Sequence, residues 1–162
     1  YGKAHLAQQF WALRRVILSK KRALEPLCQA VWAMRDKLHR ASTTPKTNQF
    51  DLKNSPGGII DLEFLVQYAV LRWAHEHPEL LVYTDNMRLL ACLQQIGKLS
   101  RQRAQLLMNA YRTYRALLHQ HCLAQTSPML DSKGLEPFIL AVRAQWQTWI
   151  GENNTPLAEP LK

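Results

Sequence analysis

Apolar residues recur every three or four positions along most of this chain, which is the period of an α-helix. The first such run lies near residues 3–19 and puts Leu6, Phe10, Leu13 and Ile17 on one face. A second run covers about 21–41, with Pro26 in its first turn, where proline is tolerated. Its apolar stripe consists of Leu24, Leu27, Val31, Met34 and Leu38. The two helices could pair antiparallel.

The run from Ile59 to Glu76 is different because it is apolar on nearly every side. A helix with that pattern is surrounded by other helices, so it should be the central one. Three more helices follow: a short one capped by Thr84 or Asp85 and stopped by Gly97, a long one from Ser100 to about residue 124, and one over about 137–150.

The connections between these runs are short, and strand signals do not recur. Residues 42–48 and 127–137 have the composition of loops, and the alternating segment 50–53 favours an extended conformation. The pattern predicts an all-α helical bundle of about six helices. We expect one domain over 1–151, followed by a polar tail over 152–162.

Composition and charge narrow the classes of partner. Hydrophobic residues make up 47% of the 162 positions, and no apolar run is long enough to span a membrane. Almost all of the net charge of +9 comes from residues 1–48, which carry ten Lys/Arg against Glu25 and Asp36. Such a surface suits acidic or phosphate-rich partners, or it is simply a solvated helical face. Nucleic-acid binding rests on charge alone, since no recognisable binding motif accompanies it.

The cysteines and histidines do not form a recognisable metal site. Cys28, Cys92 and Cys122 are widely spaced and odd in number, which favours buried free thiols in a reducing compartment, hence a cytoplasmic location. The pairs His75/His77 and His119/His121 lack the i, i+4 spacing of a helical metal site. No catalytic set is recognisable, so we expect no catalytic or metal-binding residue in this chain.

The most informative segment is the one that precedes the central helix. Lys53 is followed by the adjacent pair Gly57 and Gly58, after which the helix begins. Glycine lets the backbone take positive φ and lets another group approach closely. A helix N-terminus offers unpaired N–H groups to an anion, and a lysine before a flexible turn can reach a phosphate. The spacing is neither a Walker motif nor a dinucleotide fingerprint.

Two carboxylates lie at the start of that apolar helix. Asp61 and Glu63 are about 200° apart on a helix, so they cannot form a paired acid/base site by themselves. Asp61 is in the first turn, where a carboxylate can accept from free N–H groups. Glu63 lies between Leu62 and Phe64, so we expect it to be largely buried and to anchor a polar network with Gln67 one turn later.

This segment resembles the motif of the glutamine synthetase adenylyltransferase family. Further stretches agree with the C-terminal half of that bifunctional enzyme, so the resemblance covers about 1–150, although residues 42–49 carry no motif that matches. The residues that carry it are Lys53, Gly57, Gly58, Ile59, Asp61–Phe64, Val66–Tyr68, Leu71–Glu76, Asp85, Asn86, Arg88, Leu90, Ala110–Arg115, Val142, Arg143, Trp146 and Trp149.

The resemblance implies a supporting role in AMP transfer from ATP to a tyrosine of glutamine synthetase. The magnesium-binding aspartates of that family belong to a nucleotidyltransferase domain that would precede Tyr1, so we expect a fragment without activity of its own. Lys53, Gly57, Gly58 and Asp61 would line the nucleotide cleft. The implied cofactors are ATP and Mg²⁺ in the full-length enzyme, and the implied partners are the upstream domain, glutamine synthetase and the PII signalling protein.

A second hypothesis is a regulatory interaction module that docks glutamine synthetase or PII without contacting nucleotide. The position of the turn discriminates between the two. If Lys53, Gly57, Gly58 and Asp61 cluster on an exposed concave surface, the cleft role gains support. If the turn is buried against the bundle, the motif is structural.

Overall fold

The computed structural model describes residues 4–40 and 49–151, and these form a helical bundle with one very small strand pair. In chain order the elements are α1 (Ala4–Leu18), α2 (Leu24–Arg40), β1 (Phe50–Asp51), α3 (Ile59–Trp73), a 3₁₀ helix (Pro78–Leu81), α4 (Asn86–Gln95), α5 (Arg101–Leu123), β2 (Met129–Leu130) and α6 (Glu136–Trp149). The predicted all-α class is confirmed, and the tail from residue 152 lies outside the described residues.

Helix α3 lies at the centre of the bundle, as its all-round apolar pattern predicts. It packs against α2, α4, α5 and α6, and also touches the 3₁₀ helix. Leu62, Val66, Tyr68 and Ala69 have no solvent exposure, although they point in different directions around the helix axis. A helix buried on several sides fixes its neighbours, so its N-terminal end is a well-defined position in the fold.

The predicted ends of α4 and α5 agree with the structure. The Asp85 side chain accepts from the Arg88 N–H at 2.9 Å, and the Ser100 hydroxyl accepts from the Arg103 N–H at 3.2 Å. Each contact satisfies a donor that the first helical turn cannot pair internally. Gly97 ends α4 with φ of +73°, which a glycine adopts without strain.

The strands β1 and β2 join two loops whose contact was not predicted from the sequence. Phe50 lies opposite Leu130 and Asp51 opposite Met129 in an antiparallel arrangement, and the Leu52 N–H donates to the Pro128 carbonyl at 3.0 Å. Strands of two residues are too short to show alternation, which explains why only the extended character of 50–53 was predictable. The pairing holds the segment before α3 against the loop after α5.

Helix α1 forms as predicted, but its apolar face is not part of the core. Leu6, Phe10 and Leu13 are about three-fifths exposed, and Ile17 is nearly half exposed. The expected pairing with α2 is wrong, since α2 packs along α3 instead. Arg14 holds α1 to the bundle by donating to the carbonyls of Leu81 and Tyr83.

The cysteines follow the expectation only in part. Cys92 is buried, Cys28 is partly buried and Cys122 is exposed, and all three are free thiols. Cys122 is exposed because it lies on the outer side of α5, close to the end of that helix. No helix within the described ranges is long and apolar enough to cross a membrane. Residues 41–48, which carry no recognisable motif, are outside the described part.

Candidate functional site

The loop before α3 is organised by the Asp51 carboxylate. Its Oδ1 accepts from the backbone N–H groups of Lys53 and Asn54 at 2.8 and 3.1 Å, and Oδ2 accepts from the Asn54 side chain at 2.9 Å. The Asp51 N–H donates to the Ser55 hydroxyl at 2.9 Å. Because one buried carboxylate satisfies three donors, the loop carrying Lys53 is held in one conformation rather than flexible.

The two glycines are needed because other backbone atoms approach them closely. Gly57 has φ of +87°, and a Cβ there would lie 2.8 Å from the Ile139 carbonyl oxygen. A Cβ at Gly58 would lie 2.8 Å from the Leu52 carbonyl oxygen. No side chain fits at either position, and both residues are buried. The turn is therefore packed against the bundle and does not form an exposed concave surface, which is the outcome expected of a structural role for Gly57 and Gly58.

The N-terminus of α3 does not present the unpaired donors that the sequence led us to expect. The Gly58 N–H donates to the Ser55 carbonyl at 2.8 Å, and the Ile59 N–H donates to the Leu52 carbonyl at 3.0 Å. The Ile60 N–H is directed at the Lys53 carbonyl at 3.4 Å. These groups are occupied by the preceding loop, so that expectation is wrong for the first residues of the helix.

Asp61 is buried and also holds the turn against the bundle. It forms an ion pair with Arg35 of α2, and its second oxygen accepts from the Gly57 N–H at 2.7 Å. Arg35 also donates to the Asn54 carbonyl at 2.6 Å. Burial raises the pKa of Asp61, while the charge and hydrogen bond of Arg35 and the Gly57 N–H oppose that rise. The carboxylate thus joins α2, α3 and the loop.

Two further side chains complete the enclosure of the turn from α5 and α6. The Tyr114 hydroxyl donates to the Gly57 carbonyl at 3.0 Å, and Arg143 Nε donates to the Pro56 carbonyl at 2.9 Å. Burial raises the pKa of Tyr114, which keeps this donor protonated. Sequence reasoning missed Arg35, Tyr114 and Arg143 as partners. The available signal was their position in apolar stripes or motif segments, where a polar group needs a buried partner.

Glu63 is only partly exposed, which agrees with the expectation that it is largely buried, although it is less enclosed than Asp61. It turns toward α5, where Tyr111 donates a hydrogen bond to it and the charge of Arg115 acts on it, together with that of Lys53 from the loop. Loss of hydration raises the pKa of Glu63, and these three groups oppose the rise. Partial exposure follows from its place at the edge of the α3–α5 contact.

Gln67 does not share the environment of Glu63. Its side chain is exposed, and it borders a separate hollow together with Arg14, Leu18 and Thr84. One helical turn rotates the position by about 40°, which is enough at the edge of a packed face to move a side chain from one groove to the next. The predicted Glu63–Gln67 network is therefore not formed.

The exposed side of the loop borders a hollow on the described surface. It has a volume of about 660 Å³ and lies between the loop carrying Lys53, the second half of α5 and the segment 126–128. Its polar and charged lining comprises Lys53, Arg115, His119, His121 and Thr126. Of the four residues predicted to line a nucleotide cleft, only Lys53 is exposed and reaches a hollow. A nucleotide contact for these residues stays a prediction.

The described residues do not provide a metal centre. Among them, no group of three or more His, Cys, Asp or Glu side chains is close enough together to hold an ion.

Comparison with known proteins identifies sequences similar to this chain. The family model described as GlnD PII-uridylyltransferase matches residues 28–128, which is more than half of the chain. A bifunctional glutamine synthetase adenylyltransferase/adenylyl-removing enzyme of Idiomarina loihiensis is 40% identical over 90% of this chain. The enzyme of the same name from Nitrosococcus oceani is 37% identical over 94% of this chain.

These matches confirm the resemblance to glutamine synthetase adenylyltransferases that the motifs indicate. The matches also show that the resemblance covers only a small part of such an enzyme. The chain spans 15–16% of the length of the curated relatives it matches. The similarity supports assignment to one domain of such an enzyme. The activity, substrates and partners of the whole protein do not follow from it directly.

The crowding around Gly57 predicts a large loss of stability on Gly57→Ala. Alanine would be strained at positive φ, by about 1–2 kcal/mol, and its Cβ would also overlap the Ile139 carbonyl. We expect the free energy of unfolding to fall by at least about 3 kcal/mol in urea titration. Gly97→Ala is the matched control, because Gly97 has φ of +73° but nothing within 4 Å of a Cβ. Equal losses in the two variants would show that the close approach is not important.

The environment of Glu63 predicts a pH-dependent effect of Glu63→Gln. Because the pKa of Glu63 is raised above its usual 4.5, the folded state binds the proton more tightly than the unfolded state. The wild type therefore loses stability relative to the glutamine variant as the pH rises from below that value to neutrality. We expect the difference between their urea midpoints to move in favour of Gln between pH 4 and pH 7.5. A difference that is constant or moves the other way would contradict this.

Proposed function

The chain belongs to the GlnD PII-uridylyltransferase family, and we propose that it is the helical domain that supports AMP transfer in a glutamine synthetase adenylyltransferase. In this proposal the domain forms one wall of a nucleotide cleft. The transferred AMP comes from ATP and is accepted by a tyrosine of glutamine synthetase. The chemistry itself takes place on a catalytic domain elsewhere in the same polypeptide.

The observation that carries the proposal is the exposed Lys53 on a loop that is otherwise fixed. The backbone N–H of Lys53 is held by Asp51, while its side chain borders the 660 Å³ hollow. Nucleotidyl transfer depends on positioning and charge stabilisation rather than on covalent help from the protein. A lysine whose backbone is fixed and whose ammonium is free to reach a phosphate suits that demand.

Gly57, Gly58 and Asp61 contribute to the cleft indirectly in this proposal. Gly57 allows the loop to approach α6, Gly58 allows the loop to fold closely on itself, and Asp61 ties the turn to α2 through Arg35. Together they fix the position of Lys53 at the edge of the hollow. A contact between any of these three residues and the nucleotide would require the turn to open, and the hydrogen bonds on both its faces oppose such opening.

ATP and Mg²⁺ are the proposed cofactors of the full-length enzyme. The basic rim at Lys53 and Arg115 fits the phosphates of ATP, which carry the complementary charge. The described residues do not fit Mg²⁺, because they offer no cluster of oxygen ligands. We therefore derive no step through a metal ion in this chain. The chain by itself is proposed to be inactive, with glutamine synthetase and PII as partners of the whole enzyme.

Lys53→Ala in the full-length enzyme is expected to weaken the use of ATP while leaving the fold intact. Loss of one charge-assisted hydrogen bond costs about 1.5–3 kcal/mol, which is on the order of ten- to a hundredfold in kcat/KM. The measurement is the rate of AMP incorporation into glutamine synthetase at varied ATP concentration, with the thermal midpoint measured in parallel.

The control for this experiment is Lys98→Ala. Lys98 lies just before the start of α5, over the Trp73 ring at 5.5 Å, whereas the hollow is formed by the second half of α5. A similar kcat/KM for ATP in the two variants would exclude the proposed role of Lys53. If Lys53→Ala, but not Lys98→Ala, loses activity and also has a lowered thermal midpoint, the role of Lys53 is structural instead.

A second candidate function is favoured by the exposed face of α1. Leu6, Phe10 and Leu13 form a stripe of apolar side chains, each more than half exposed. Soluble domains rarely leave such a stripe uncovered, so contact with another protein surface is the ordinary explanation. In this alternative the domain docks glutamine synthetase or PII and does not contact nucleotide.

Phe10→Ser combined with Leu13→Ser separates docking from cleft formation. We expect the double variant of the full-length enzyme to bind glutamine synthetase at least about tenfold more weakly in surface plasmon resonance, because two apolar anchors are lost. The KM for ATP should not change if the docking hypothesis is correct. Unchanged affinity for both glutamine synthetase and PII would contradict the docking hypothesis. Ala12→Ser, on the same helix outside the stripe, is the control.

A further inference from the structure

Arg14 of α1 is held in a fixed position by neutral groups. Its guanidinium donates to the Leu81 and Tyr83 carbonyls and lies over the Trp11 ring, 5.3 Å from the ring centre. A guanidinium has five N–H donors, so these two hydrogen bonds leave others unused. No ion pair of Arg14 occurs among the residues that the structure describes. A preorganised arginine whose charge is uncompensated is suited to binding a carboxylate.

The Arg14 side chain borders a hollow of about 370 Å³ that lies between α1, α3 and α4. Three neutral polar side chains line it from separate parts of the fold: Gln67 of α3, Asn86 of α4 and Thr84 of the loop before α4. None of these three side chains forms a hydrogen bond with another described residue. Amide and hydroxyl groups can each donate and accept, so the hollow offers unpaired groups to a polar ligand.

The remaining walls and the sign of the charge narrow the class of ligand. The other lining residues are apolar and include Val70 and Leu89. The volume lies within the range of small-molecule sites, roughly 300–1,000 Å³. The described lining contains no carboxylate, so an ammonium group would find no partner there and would be repelled by Arg14. The adjacent Asp85 carboxylate instead accepts from the Arg88 N–H and pairs with the Arg88 guanidinium.

We propose that this hollow is a binding site for a small monocarboxylate that carries a hydroxyl group. The Arg14 guanidinium binds the carboxylate, and Gln67, Thr84 and Asn86 form hydrogen bonds with the hydroxyl. The apolar walls accept a short hydrocarbon body. The site shares no lining residue with the hollow beside Lys53, so it is independent of the motif loop and of the proposed function.

A ligand in this hollow also fixes the position of α1. Most side chains of α1 are exposed, and Arg14 provides its side-chain hydrogen bonds to the 3₁₀ helix and the residues that follow it. A ligand that contacts Arg14 together with α3 and α4 adds contacts that the free state lacks. Because it binds the docked state of α1 and not a detached one, it makes detachment of this helix less frequent.

The probe for this site is 2-hydroxybutyrate, which has a carboxylate, a hydroxyl and a short apolar end. The sample is the ¹⁵N-labelled 162-residue chain, whose helices enclose a core of their own. We expect saturable chemical-shift changes at the side-chain amides of Gln67 and Asn86, with a Kd on the order of 1 mM. Shifts centred on Ala12 and Val82, which line the neighbouring hollow, or no saturable shift up to about 20 mM would overturn the proposal.

Two molecules of the same shape test the class of ligand. In 2-hydroxybutyramide the carboxylate is replaced by a neutral amide, and in 2-aminobutyrate the hydroxyl is replaced by an ammonium group. Both should bind at least about tenfold more weakly, the first because the charge-assisted contact with Arg14 is lost and the second because its ammonium has no partner. Equal affinity for all three compounds would show that the assigned chemistry is wrong.

Asn86→Asp tests the site without disturbing the fold. A carboxylate in the first turn of α4 is favourable to the helix dipole, so stability should be kept or rise. The new carboxylate competes with the ligand for Arg14, so 2-hydroxybutyrate should bind at least about tenfold more weakly. Gln102→Glu, which adds one negative charge in the first turn of α5, is the matched control and should change the affinity by less than about twofold. Equal effects of the two variants would contradict the site.

Hydrogen exchange provides a readout for the contact with α1. Saturating 2-hydroxybutyrate should slow the exchange of amides in residues 5–18 at least about threefold in the wild type, because the helix detaches less often. It should leave the same amides of Asn86→Asp unchanged. Exchange in α1 that is unaffected by bound ligand in the wild type would contradict the assignment of Arg14.

Discussion

The buried contact between Arg35 and Asp61 is the interaction on which the motif loop depends. Removing both charges from water costs several kcal/mol per ion, and the cost is recovered only when the remaining donors and acceptors are also satisfied. Here they are: Asp61 accepts from the Gly57 N–H, and Arg35 donates to the Asn54 carbonyl. The pair therefore fixes α2, α3 and the intervening loop relative to one another. Its value is less in net stability than in defining a single arrangement.

That arrangement gives the loop two faces with different properties. Because the inner face is occupied by backbone and side-chain hydrogen bonds, the outer face can hold Lys53 without a flexible hinge. Catalytic sites built on positioning need this kind of support, since a displacement of about 1 Å can cost on the order of a hundredfold in rate. A pair of glycines beside a lysine suggests mobility from sequence alone. In this chain the glycines permit close packing instead, Gly57 against Ile139 of α6 and Gly58 against the Leu52 carbonyl of its own loop.

The helical architecture was predictable because it is encoded locally. The position of α3, the caps at Asp85 and Ser100 and the stop at Gly97 each follow from spacing within a few residues. The candidate site was only partly predictable because it is assembled from distant residues. The link between Arg35 and Asp61 spans 26 positions, and that between Tyr114 and Gly57 spans 57. Only Lys53 could be assigned a surface position correctly from the motif.

The distribution of charge shows why a site cannot be predicted from net charge. The excess of positive charge lies in residues 1–48, yet the basic rim of the hollow consists of Lys53 and Arg115 from the remainder, where the counts of opposite charges nearly balance. These two cations line one hollow, and the charges of both oppose the rise in the pKa of Glu63 that burial causes. In α1, by contrast, Arg14 donates to the carbonyls of Leu81 and Tyr83 and so holds the helix to the bundle, while the apolar stripe stays exposed. The same sign of charge therefore serves two different purposes in the two parts of the chain, and only the local partners reveal which.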